Sequence, residues 1–183
     1  MNIIDQIIYN YSNNKSLYIG EKITMSEHMI QTAMLAEKTS STTDLVCSSL
    51  LHDYGHFILE NPNNLIEKNK DGKHEDVGYE FLKKYFKKDV LGPIKNHVKA
   101  KRYLARNSKY YALLSKASKT SLKVQGGIMN NEEAIVFEKD EFFKNSIKLR
   151  KFDEVAKIAG LKIKSINEYK NLLNSKLIWN LII

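Results

Sequence analysis

All five histidines of this chain, His28, His52, His56, His74 and His97, fall in its first 100 residues or so, and one of them is followed directly by a carboxylate, Asp53. The pair His52-Asp53 ends the apolar run Leu45-Val-Cys-Ser-Ser-Leu-Leu51, so a buried helix delivers an imidazole and a carboxylate side by side. An unpaired buried carboxylate costs several kcal/mol, roughly, unless a cation or strong donors neutralise it. Next to imidazoles a metal ion is the most economical neutraliser. Asp53 has two oxygens and is able to bridge two ions. Candidate ligands are His28, His52, Asp53, His74, His97 and the late carboxylate Asp153. Imidazoles and carboxylates without thiolate suit iron, manganese or zinc, and six such groups exceed what one tetrahedral site uses. The expectation is a dinuclear centre.

Side chains three or four apart on a helix share a face, which supplies a second set of candidates. His56 lies four after His52, Lys101 four after His97, and Arg150 three before Asp153. Cations beside a metal pair repel it unless an anion lies between, so this pattern points to a small substrate with a phosphate-like or carboxylate group. The segment from Ser115 to Gly127 repeats a serine at Ser115, Ser118 and Ser121 before Gln125 and a Gly pair. Hydroxyls in such a row donate to anion oxygens, although serines every third residue also describe the polar side of an ordinary helix. Tyr18 and Glu21 precede His28 on an expected loop, where they would act as a lid, or as an aromatic anchor and a surface charge.

These residues need helices to position them. Helical periodicity is legible over residues 2–11, 26–38 and 42–57, with Ser26 before the second and Ser41 and Asp44 at capping-box spacing in the third. Further helical windows are 74–86, 89–103, 107–125, 131–147, 149–159 ended by Gly160, and 166–181. Alternating strand-like runs are nearly absent, so the expected fold is all-α. The clearest loop is Glu60–Lys73, and Pro62 and Pro93 read as loop or loop-exit residues. No repeat or linker divides the 183 residues, which predicts one domain over 1–183.

Composition excludes several classes. The single cysteine, Cys47, rules out an intrachain disulfide, a thiolate zinc site or an iron-sulfur cluster, and fits a reducing cytoplasm. The N-terminus lacks the basic region and cleavage site of a signal peptide, and no apolar run is long enough to span a bilayer, so no membrane partner is expected. The net charge of +8 is spread along the chain, with no basic run interleaved with aromatics. Nucleic acid is therefore not an expected partner, and nothing in the sequence speaks to oligomeric state.

Taken together, Tyr18-Ile-Gly-Glu21, His52-Asp-Tyr-Gly-His56, His74, His97-Val-Lys-Ala-Lys101, Leu122-Lys-Val-Gln-Gly-Gly127 and Arg150-x-x-Asp153 resemble the PhnZ-type mixed-valent di-iron oxygenases. These are HD-fold relatives of myo-inositol oxygenase that cleave the carbon-phosphorus bond of 1-hydroxyphosphonates. The resemblance runs from about Tyr18 to Asp153, leaving 160–183 as a C-terminal helix without a motif. It implies an HD-domain helical bundle and an Fe(II)/Fe(III) pair. One iron is then held by His28, His52, Asp53 and Asp153 and the other by His74 and His97, with Asp53 bridging. His56, Lys101, Ser118, Gln125 and Arg150 would face an organophosphonate. Tyr18 would occupy the metal site before substrate, and Glu21 would receive a substrate amino group, as in 2-amino-1-hydroxyethylphosphonate. On this reading Tyr18, Glu21, His56 and Lys101 serve catalysis, O2 is the co-substrate, and the products are a carboxylic acid and phosphate.

Three rivals share most of these residues. A dinuclear HD phosphohydrolase acting on nucleotides would use redox-silent metals to activate water, but leaves the Tyr18–Glu21 element and the Gln-Gly-Gly segment unexplained. A non-catalytic HD module has no need of six ligands. A sugar oxidase resembling inositol oxygenase has less use for cations around its metals.

Overall fold

The computed structural model describes residues 1–18, 20–59 and 71–178. Its helices are α1 (Ile3–Asn13), α2 (Met25–Lys38), α3 (Thr43–Leu51), α4 (Gly55–Ile58), α5 (His74–Leu82), α6 (Lys88–Leu104), α7 (Ser108–Leu113), α8 (Lys116–Val124), α9 (Asn131–Glu138), α10 (Phe143–Val155) and α11 (Lys170–Ser175), the last preceded by a 3-10 turn at Ile166–Tyr169. Among the described residues there is no strand, only isolated bridges at Leu17–Thr24 and Phe86–Leu177. The all-α expectation holds. No helix of the described residues is long and apolar enough to cross a membrane.

The apolar spacing read in the sequence explains which faces turn inward. Ile3, Ile4, Ile7 and Tyr11 of α1 form one buried stripe. They meet Met29 and Ala33 of α2, Leu50 of α3, Ile94 of α6 and, from the C-terminal segment, Ile166, Tyr169 and Leu173 in one core. Around it α2, α3, α6 and α10 pack on one another, with α5 laid on α6 and α4 on α5. Cys47 is buried in this core, and burial pushes its thiol well up, which makes it unreactive.

Several boundaries differ from the sequence reading. α2 begins earlier, because Thr24 and Glu27 form a reciprocal capping box; Ser26 lies inside the helix and donates to Tyr11 O at 2.9 Å. α3 is capped by Thr42, which accepts from Leu45 N at 3.3 Å, rather than by a Ser41–Asp44 box; Asp44 pairs with Lys176. The expected single helix over 42–57 breaks at residues 52–54. There hydrogen bonds tighten to i→i−3 spacing, from Tyr54 N to Leu51 O and from His56 N to Asp53 O. The window 107–125 is split by Ser115, which caps α8 by accepting from Ser118 N. The expected boundary between 147 and 149 does not exist; the break falls before Phe143, and α10 stops at Val155, well before Gly160. Pro93 sits inside α6, not at a loop exit. It leaves Asp89 O without its helical donor, at a point where Gly92 lets the Phe142 ring press on the helix: a Cβ there would lie 2.1 Å from that ring. Of the predicted loop Glu60–Lys73, and of the end of the window 166–181, residues 60–70 and 179–181 lie outside the described residues.

Candidate metal centre and anion pocket

Five separate elements bring the six candidate ligands to one place. His28 lies in the first turn of α2, His52 and Asp53 in the tightened turn after α3, His74 opens α5, His97 is midway along α6, and Asp153 is near the end of α10. All six are buried.

Backbone carbonyls orient three of the four imidazoles. His28 Nδ1 lies 2.9 Å from Ala156 O, His52 Nδ1 2.9 Å from Ser49 O, and His97 Nδ1 2.7 Å from Ile94 O. A carbonyl only accepts, so each Nδ1 carries a proton and, in the neutral ring, each Nε2 presents a lone pair. His74 instead turns Nδ1 towards Glu75 Oε2, at 3.6 Å.

The lone pairs converge in two groups. In one, His28 Nε2 and His52 Nε2 are 3.2 Å apart, and Asp153 Oδ1 is 3.3 Å from His28 Nε2. In the other, His74 Nε2 and His97 Nε2 are 2.9 Å apart. Asp53 stands between: Oδ2 is 3.4 Å from His52 Nε2 and 3.7 Å from His28 Nε2, while Oδ1 is 3.2 Å from His74 Nε2 and 3.3 Å from His97 Nε2. The ligand atoms of His28, His52 and Asp153 lie within 4.8 Å of one another, as do those of Asp53, His74 and His97.

Lone pairs and anionic oxygens packed this closely repel unless positive charge sits among them. Asp153 Oδ1 is buried without a hydrogen-bond partner, as a metal-ligating oxygen would be. Burial alone would lower the His52 imidazole, yet the adjacent Asp53 carboxylate overrides it and raises it to about 9. Burial would raise Asp53, but the surrounding imidazoles, His52 first, hold its carboxyl well below the usual range. Both directions express a demand for cations that two metal ions meet. The donor set fits a dinuclear centre.

Above the ligands is a cavity lined in part by Tyr18, His56, Lys101, Ser118, Ser121, Gln125 and Arg150. Lys101 is 5% exposed, and its Nζ donates to Ser121 Oγ at 2.9 Å. Burial, then the charge of Arg150, push its ammonium down to about 7; an anion beside it would reverse that. His56 stacks on His74 with ring centroids 4.3 Å apart and leaves a buried Nδ1 unpaired. Burial and His74 hold its ring down to about 3, so it is a neutral hydrogen-bonding group. Gln125 Oε1 is likewise buried without a partner. Tyr18 stacks on His28, centroids 3.9 Å apart. Burial and then Asp153 and Asp53 raise its phenol well above the ordinary value, which keeps the hydroxyl a donor.

Arg150 is less free than its spacing implies. Its guanidinium ion-pairs with both Asp153 and Glu154, and Nε donates to the Tyr110 hydroxyl at 3.0 Å. Glu21 lies off the cavity wall, with Oε1 4.0 Å from Lys157 Nζ. Sequence reading missed Tyr110, Glu154 and Lys157. The last two were within reach of the same spacing rule, since Glu154 is four after Arg150 and Lys157 four after Asp153; Tyr110 carries no such signal.

Helices that present histidines and aspartates from five elements to a two-metal cavity define the class of HD-type metalloproteins. The chain belongs to the HD domain family, whose match covers residues 25–142. It is 38% identical over 162 residues to a hydroxymethylphosphonate dioxygenase of Gimesia maris, covering 86% of this chain and 80% of that one. It is 41% identical over 145 residues to a 1-hydroxy-2-(trimethylamino)ethylphosphonate dioxygenase (glycine-betaine-forming) of Leisingera caerulea, covering 79% and 74% of the two chains. An uncharacterized protein of Acanthamoeba polyphaga mimivirus is 39% identical over 184 residues, covering 94% and 84%.

Proposed function

We propose that this protein is a di-iron oxygenase that cleaves the carbon-phosphorus bond of a small 1-hydroxyphosphonate with O2, giving a carboxylic acid and phosphate. The observation that carries this reading is the buried Lys101 ammonium facing the ligand cluster, with no carboxylate of the described residues within ion-pair distance. A phosphonate dianion is its natural counter-ion. The relatives named as phosphonate dioxygenases support the same chemistry.

His28, His52, Asp53 and Asp153 would hold one iron and His74 and His97 the other, with Asp53 spanning both through its two oxygens. The iron pair would supply the redox chemistry with O2 that no side chain here offers. The protein's own groups bind and orient. Lys101 would neutralise the phosphonate and the unpaired Nδ1 of His56 would hydrogen-bond one of its oxygens, while the Ser118 hydroxyl, which donates to Glu154 Oε2 at 3.3 Å in the free protein, would turn to another. Gln125, with its carbonyl unpaired, would accept from the substrate hydroxyl. Arg150, its charge shared between Asp153 and Glu154, would hold Asp153 in place beside the substrate. Tyr18 would stand over the His28 side of the centre until substrate displaces it. We take residues 1–183 as one HD domain, because the main core joins α1 to the C-terminal segment, and its working compartment as the cytoplasm, which suits the lone thiol.

Anaerobic purification with iron, followed by oxygen uptake and phosphate release on 1-hydroxyphosphonates, tests the proposal. Oxygen uptake matching phosphate release is the expected result. Oxygen-independent phosphate release from nucleotides would instead assign a phosphohydrolase.

A further inference from the structure

Glu21 has a cationic partner within the chain. Lys157, just beyond the end of α10, is a lysine whose side chain is only 10% exposed. Its Nζ lies 4.0 Å from Glu21 Oε1, 3.2 Å from Glu154 Oε1 and 3.2 Å from Ser118 Oγ, and 5.8 Å from the centre of the Tyr18 ring. The ammonium is thus enclosed between the entry loop, α8 and α10. The loop has little room to close further on α8. Gly20 adopts φ +75 and approaches α8 so closely that a Cβ would sit 2.9 Å from Ala117 Cβ.

With Asp153 counted as a metal ligand, the remaining charges beside this end of the cavity match, the two carboxylates Glu21 and Glu154 against the two cations Arg150 and Lys157. Glu154 is held by Arg150 and Lys157, and Asp153 by Arg150. Glu21, the carboxylate that an approaching ammonium would need, has Lys157 beside it. Tyr18 and Ser118, which Lys157 contacts, are themselves cavity wall. A substrate ammonium arriving here meets compensated carboxylates and a fixed like charge, an arrangement that rejects a partner rather than attracts it.

We propose that Lys157 is a specificity-determining residue that, from behind the Tyr18 and Ser118 wall, reserves the Tyr18 end of the cavity for a neutral substituent or none. The substrate class is then a short, uncharged 1-hydroxyphosphonate such as hydroxymethylphosphonate, not an amino- or trimethylammonium-bearing one. This rests on the phosphonate reading above and reverses the expectation drawn from Glu21 alone.

The test is anaerobic calorimetric binding of hydroxymethylphosphonate and 2-amino-1-hydroxyethylphosphonate to the iron-loaded protein and its Lys157→Met and Lys157→Arg variants, with oxygen-dependent phosphate release measured on the same samples. The natural protein is expected to bind hydroxymethylphosphonate at least about ten-fold more tightly, Lys157→Met to shrink or invert that ratio by about ten-fold, and Lys157→Arg to preserve it. Lys157→Gln, which keeps a polar contact to Ser118, replaces the Met variant if that one does not fold. A natural preference for the amino compound, or an unchanged ratio in the Met or Gln variant, overturns the inference. If both compounds bind but neither yields phosphate with oxygen, the functional proposal falls and the binding ratio still decides Lys157; if neither binds, both fall.

Discussion

Lys101 and Arg150 carry the same charge, but their neighbours assign them different work. Arg150 is occupied by two carboxylates of its own helix, so it orients Asp153 and keeps that ligand ionised. Among the described residues Lys101 has only the Ser121 hydroxyl, and its ammonium is destabilised until an anion arrives. Lys101→Ala is therefore expected to raise the KM for the phosphonate by about ten-fold or more, the worth of one charge-assisted contact. Bound metal is expected to stay the same. Steady-state kinetics beside metal analysis of the same samples checks both, and an unchanged KM removes Lys101 from substrate binding.

The tightened turn between α3 and α4 is the element on which the site turns. It lets His52 and Asp53 leave α3 together, then sends α4 against the start of α5. That contact is backbone on backbone: a Cβ on Gly55 would fall 1.9 Å from His74 O, and one on Gly78 would fall 3.0 Å from Gly55 N. Any side chain at Gly55 must push α5 away and carry His74 with it. Gly55→Ala is expected to cost about 2 kcal/mol or more by overpacking, a fall of roughly 4–8 °C in Tm for a chain of this size. It should also weaken the metal group of Asp53, His74 and His97. Differential scanning calorimetry and metal titration read the two effects, and a variant with natural stability and metal content would show that the close approach relaxes at little cost.

At the scale of the molecule, the ligands tie α2, α3, α5, α6 and α10 together through closely packed ring nitrogens and carboxylate oxygens, whose demand for cations the metal-free protein meets only in part, by protonation. Metal binds the folded arrangement and finds no such cluster in the unfolded chain, so it stabilises by mass action, about 2.7 kcal/mol at a free concentration 100 times Kd. Chelation is expected to lower Tm, and readdition of Fe(II), or of redox-silent Mn(II), to restore it. Restoration by Mn(II) without oxygen uptake would separate the structural contribution of the ions from their chemistry, and a Tm indifferent to metal would mean that the folded protein does not hold ions at this centre.

Much of this centre is legible along the chain, because metal ligands must be particular residue types and helical spacing places their neighbours. His56 and Lys101, each four residues from a ligand, could be singled out on that ground, as could the all-α class from its apolar periodicity. Other features depend on contacts that no local pattern encodes. The break in the 42–57 helix accompanies the close approach of the α5 backbone to Gly55, whereas the Thr24–Glu27 capping box that starts α2 is a local signature that the sequence does carry. The assembly of two ligand groups around Asp53, and the burial of Lys157 against Glu21, join residues far apart in sequence. Residue type and spacing alone thus determined which chemistry the chain was able to hold. Tertiary packing decided which charges remain free to meet a substrate, because a charge is available only when the folded neighbours leave it unpaired.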